Sequence, residues 1–131
     1  MHKSVILIAL CFLWFTSSYG QGLKLVNPSS VDASSSYKKY GLPENMFDGN
    51  IGTFWNPKKK KGVGEYFEVK FQNPQDIRVI KILPGVGKSK KLYKLNNRIG
   101  NVTVEINDSE QFDFSLKDYY GYQELEINRS V

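Results

Sequence analysis

The chain has 131 residues, with 18 Lys and Arg against 13 Asp and Glu, one His and one Cys. That length limits it to one domain with a moderate core. Both special residues, His2 and Cys11, fall in the first 20 positions, so residues 21–131 contain no thiolate and no imidazole. They exclude thiol nucleophiles, histidine general bases, the usual zinc ligands and intrachain disulfides.

Residues 1–20 read as a secretory signal peptide. His2-Lys3 is a short basic start, Val5 to Phe15 is almost entirely apolar, and Ser18 and Gly20 are small. The apolar run is too short for a span of about 20 residues, so no membrane span is expected and the location is secreted or periplasmic. Cleavage after Gly20 leaves a mild net charge of +4, because Lys3 is the one charged residue lost.

Gln21 to Val26 predicts a first strand or extended lead-in, and Asn27-Pro28-Ser29-Ser30 a turn. Val31 to Ser36 reads as an extended loop or edge segment. Pro43 to Phe47 allows one helical turn with Pro at its start, ended by Asp48-Gly49. Gly64 to Phe71 alternates, with Phe67, Val69 and Phe71 on one face and Tyr66, Glu68 and Lys70 on the other. Ile77 to Leu83 is β-branched and apolar, which predicts a central strand. The basic stretch from Lys88 to Arg98 reads as a long loop with a short helical piece. Ile99 to Asn107 and Gln111 to Leu116 predict a hairpin, with Val102, Val104 and Ile106 inward. Gln123 to Ile127 gives a last short strand. Many short strands at turn-rich spacing predict a β-sandwich or barrel.

Glu44-Asn45-Met46-Phe47-Asp48-Gly49, followed by Thr53 and Trp55, resembles the early motif of discoidin-like, galactose-binding-fold domains. Gly62 to Val69 narrows the match. So do Lys88-Ser89, Leu92-Tyr93, Asn96-Asn97-Arg98, the Val102 to Leu116 hairpin and Lys117-Asp118. In this order the motifs are similar to the glycan-binding or translocation domain at the front of secreted bacterial NAD glycohydrolases. The resemblance runs from about Ser29 to about Ile127. It implies an all-β, discoidin-like jelly-roll β-sandwich over residues 21–131, with binding by loops at one end. It implies no NAD hydrolysis, because that chemistry belongs to a separate catalytic domain that nothing here resembles. Family members continue past the position of Ile127, so the sandwich is expected to lack its last strand or strands.

The function expected on this basis is a non-catalytic carbohydrate-binding module, with a cell-surface glycan as partner. The alternative is a protein-interaction or structural domain whose incomplete sheet is completed by a partner chain. Nucleic-acid binding would rest on charge alone and is not expected. Ligand-binding residues are sought in two basic stretches. Lys58, Lys59, Lys60 and Lys61 are either a solvated loop or contacts to an anionic group. Lys88 opens the second stretch. Tyr93, Asn96, Asn97 and Arg98 lie in the more specific motif, and either meet sugar hydroxyls and carboxylates or pin the long loop to the sandwich.

Trp55 is either a sugar platform or, as its place in the motif favours, a core residue. Asp48 reads as a turn cap in preference to a calcium ligand, and Asn45 as a local hydrogen-bonding residue. No cofactor is expected beyond that weaker structural-calcium alternative. No catalytic residue is assigned: Glu65 and Glu68 fall on opposite faces of one strand, and Glu105 and Asp113 would face each other with no evident pocket.

Overall fold

The computed structural model describes residues 12–19, 22–59 and 61–131. Positions 1–11 and 20 of the expected export signal lie outside the described residues. The rest of it, Phe12–Tyr19, forms strand β1. β2 (Gly22–Val26) follows, then β3 (Ser30–Ala33), β4 (Phe67–Lys70), β5 (Asp76–Leu83), helix α1 (Lys90–Leu95), β6 (Asn101–Ile106), β7 (Glu110–Ser115) and β8 (Gln123–Ser130). Two single 3-10 turns, Lys38–Tyr40 and Pro43–Met46, lie between β3 and β4. Strands dominate, as the alternation predicts. No helix among the described residues is long and apolar enough to cross a membrane.

One antiparallel sheet has the order β2-β1-β5-β8, and β3-β4 and β6-β7 form two antiparallel pairs. β5 is central, as its apolar composition predicts: β1 lies on one side, with Phe15 opposite Ile80, and β8 on the other, with Leu125 opposite Ile80. β8 runs three residues further than expected, to Ser130, and backbone bonds between Gln75 and Val131 at 2.6 and 2.7 Å secure its end.

A single core joins the three sheets. Phe67 and Val69 from β4, Ile80 and Ile82 from β5, Val102 and Val104 from β6, and Leu125 and Ile127 from β8 are all buried in it. The opposite faces carry polar rungs. On the β6–β7 pair Thr103 donates to Asp113, and Gln111 Nε2 to Glu105 at 3.0 Å. This corrects the expected opposition of Glu105 and Asp113, since the register pairs Thr103 with Asp113 and Glu105 with Gln111. The hairpin closes through Asn107 and Asp108, at φ 51° and 56°. Two successive residues in that region give the turn whose twist matches antiparallel strands. The turn is therefore centred on Asn107-Asp108.

Trp55 is fully buried. Its ring meets Phe67 edge-on at 5.4 Å and its indole N–H donates to the Ser35 carbonyl at 2.9 Å. It fills the core and offers no face to a sugar. The motif around it is a set of side-chain turns. Asp48 accepts from the Asn50 N–H at 2.7 Å and from the Thr53 hydroxyl at 2.6 Å, while Gly49 takes φ 77°. Asn45 donates to the Tyr40 and Phe54 carbonyls at 2.9 and 3.1 Å. Both residues are engaged in holding chain to chain. Among the described residues no three His, Cys, Asp or Glu side chains stand together as a metal site.

Candidate functional site

Two loops that are distant in sequence meet beside the sandwich. The first leaves Trp55 and carries Lys58, Lys59 and Lys61. The second is α1 with the turn that follows it to Arg98. Between them lies a concavity of about 320 Å³, walled by Lys58, Lys59 and Lys61 on one side and Asn96, Asn97 and Arg98 on the other. Tyr37 and Asn56 also line it. A second concavity, of about 330 Å³, is also lined by Arg98 and lies between Lys90, Tyr93 and Lys94 of α1 and the Asp118–Tyr120 segment. Both volumes are near the lower end of the range for small-ligand sites, about 300–1,000 Å³.

The lysine loop is held from beneath by Glu65. This carboxylate is 3 % exposed and accepts from the Ser34 hydroxyl and, at 2.6 Å, from the Ser35 hydroxyl. Ser35 Oγ in turn accepts the Lys58 backbone N–H at 3.0 Å. Ser34 Oγ accepts the Tyr66 N–H at 2.9 Å. A buried carboxylate with several donors stays ionised. The Ser34 and then the Ser35 hydroxyl hold Glu65 below the usual carboxylate range, against the effect of burial, with the Lys59 charge and backbone N–H adding to them. The loop closes at Gly62, whose φ of 66° is one that a side chain disfavours; its N–H donates to the Lys59 carbonyl at 2.9 Å.

The second wall is held from the side. Ser89 caps α1 by accepting the Leu92 N–H at 3.1 Å. Arg98 then ties the helix end to the chain 20 residues on. Its Nε and Nη2 donate to the two Asp118 oxygens at 2.7 and 3.1 Å, and its Nη1 to the carbonyls of Tyr93, Lys94 and Asn96 at 3.2, 3.0 and 2.9 Å. The forked guanidinium suits this bidentate pairing. The Arg98 hydrogen bond holds the Asp118 carboxyl below the usual range, and the same bond raises the Arg98 value.

Of the expected ligand-binding residues, Lys58, Lys59, Lys61, Asn96, Asn97 and Arg98 come together around the first concavity. Lys60 lies outside the described residues. Lys88 is exposed one residue before the helix cap and lines neither of these two concavities. Tyr93 lines the second concavity and not the first. It is 2 % exposed, its ring lies 5.6 Å from that of Tyr120, and Arg98 sits 5.4 Å from its centre. It packs so closely on Gly85 that a Cβ there would come within 2.8 Å of the ring. Burial raises the Tyr93 hydroxyl above its ordinary value. Tyr93 is thus a packing anchor beneath the site. For Arg98, the bonds described above realise the loop-pinning reading.

Sequence reasoning did not bring Tyr37 to this groove. A 2.6 Å bond from the Tyr37 N–H to the Asn56 carbonyl sets it beside the lysine loop, with its ring half-exposed and Lys38 over it at 5.1 Å. It also missed Glu65 and Asp118 as the groups that position the two walls. The carboxylates considered for glycoside chemistry are engaged elsewhere: Glu65 as above, and Glu68 with Lys70 at 3.3 Å.

No curated protein and no solved structure matches the chain significantly. A family model does match, over residues 17–131, and it describes an NAD glycohydrolase translocation F5/8 type C domain. Such a domain is a discoidin-like β-sandwich, in agreement with the strand content seen here, and its description names translocation, not catalysis. With nearly all of its length matched, the chain belongs to the NAD glycohydrolase translocation F5/8 type C domain family.

Proposed function

We propose that the chain is an exported, non-catalytic carbohydrate-binding module whose ligand lies in the concavity between the lysine loop and the Asn96–Arg98 turn. The observation that carries this reading is the lining itself: three lysines, a half-exposed Tyr37 and the amides of Asn56, Asn96 and Asn97 converge there. Amides both donate and accept, as sugar hydroxyls do. An aromatic ring gives the apolar face of a sugar a surface to cover. Export is supported by the basic, apolar and small-residue pattern of residues 1–20 and by the secreted bacterial proteins to which such translocation domains belong. Glycan-array binding tests the proposal. Tyr37→Ala and Asn97→Ala should each weaken binding about tenfold, as expected when a group that packs or hydrogen-bonds with the ligand is lost. A folded chain that binds no glycan would overturn it.

A second reading draws on β1. This strand separates β2 from β5, so cleavage after Gly20 would take a central strand out of the sheet and leave β5 with one open edge. An open edge is a template for a partner strand. Mass spectrometry of the exported protein distinguishes the cases: a chain that keeps Phe12–Tyr19 pairs both edges of β5 by itself.

A further inference from the structure

The two concavities share Arg98 and repeat one chemistry. The first has Lys58, Lys59 and Lys61 with Tyr37; the second has Lys90 and Lys94 with Tyr119. Tyr37 and Tyr119 are each 46 % exposed. Lys90 and Lys94, four residues apart on α1, share one helix face. Arg98 itself is consumed by Asp118 and three carbonyls, so it forms a saddle between the halves. Asp118, the one carboxylate in the lining, is neutralised by Arg98 and does not repel an anion.

Lysines with an aromatic ring, repeated across a saddle, fit a ligand whose own units repeat and carry negative charge. Each half is small for a whole ligand but suits part of one. We propose that the two concavities form a single track for a linear polyanionic glycan, with sulfate or carboxylate groups on its units, lying across Arg98. This rests on the carbohydrate reading above and extends it to ligand charge and length. The amide-rich first half favours a hydroxyl-bearing chain over a polynucleotide.

The test is binding of the full chain to heparin fragments and hyaluronan fragments of two to ten sugars, a neutral maltodextrin of equal length and an oligothymidylate of equal charge. Affinity for the anionic glycans should rise with fragment length and fall with salt. Paired substitutions Lys59→Glu with Lys61→Glu, and Lys90→Glu with Lys94→Glu, should each weaken the longest fragment about tenfold or more. Lys24→Glu in β2, outside both concavities, should leave it unchanged. Preference for the sulfated or for the uronate-only fragment supports the track in either case and assigns its anionic group. Unchanged affinity in the Lys90/Lys94 variant would overturn the track, and maltodextrin bound as well as the anionic glycans would overturn the charge assignment. Both results leave the carbohydrate reading standing. Oligothymidylate bound as tightly as the glycans would overturn the ligand class, and no glycan bound at all would remove both proposals.

Discussion

The loop at Lys58, Lys59 and Lys61 and the helix at Lys90–Leu95 carry the same kind of charge, but they are fastened differently. A sealed carboxylate with neutral hydroxyl donors anchors the first, and an exposed arginine–aspartate fork ties down the second. The contrast shows where stability and where shape are stored. A buried ion with all its bonds made is costly to disturb. An exposed pair adds little to stability, because water screens it and competes for both partners. It can still decide where a helix end sits. Damage to the first anchor should therefore appear in unfolding, and damage to the second mainly in local order.

The largest effect should come from Trp55→Ala, which removes the core filling under the lysine loop together with the bond to Ser35. The expected loss is about 3–5 kcal/mol in denaturant unfolding. Glu65→Gln comes next. It keeps the shape but replaces charge-assisted bonds with neutral ones, for a loss of about 1.5–3 kcal/mol. A midpoint unchanged by that substitution would erase the contrast between the anchors. Arg98→Ala should lower global stability less than Glu65→Gln, yet speed hydrogen exchange at the Tyr93 and Asn96 amides that close α1. Arg98→Lys should not restore protection, since an ammonium cannot make the fork.

Acid sharpens the same comparison. Glu65 and Asp118 both hold their protons less tightly in the folded chain than in the unfolded one. The stability they add is complete above the ordinary carboxylate values of about 4. It is lost as the pH falls through their lowered folded values, because the unfolded state then takes up protons first. Unfolding midpoints followed from neutral pH into that range should drop for the natural chain and drop less steeply for Glu65→Gln.

What was legible in the sequence follows from the range of the interactions. Alternation placed β4 and the β6–β7 hairpin, and a β-branched apolar run placed β5, because both signals are local properties. The charge run at Lys58 was legible because adjacent residues spell it out, whereas the cap at Ser89 emerged only with the helix. Glu65 looked like any residue at a strand start, since its donors Ser34 and Ser35 arrive through the β3–β4 register, some 30 residues away. Arg98 could be read two ways because its partner Asp118 lies 20 residues on. Tyr93 sat in a binding motif, but its burial depends on the room left by Gly85. The stretch Phe12–Tyr19, apolar to Phe15 and small or polar from Thr16 to Ser18, suits both an export signal and a strand, because neither requires polar alternation.

Trp55 stands between Phe54 and Asn56, both of which line the first concavity, and its indole N–H is bonded to the residue whose hydroxyl holds Glu65 and the Lys58 amide. The indole is therefore an optical gauge placed under the groove floor. A ligand that draws the lysine loop upward lengthens the bond to Ser35, and the emission should shift without any dye or label.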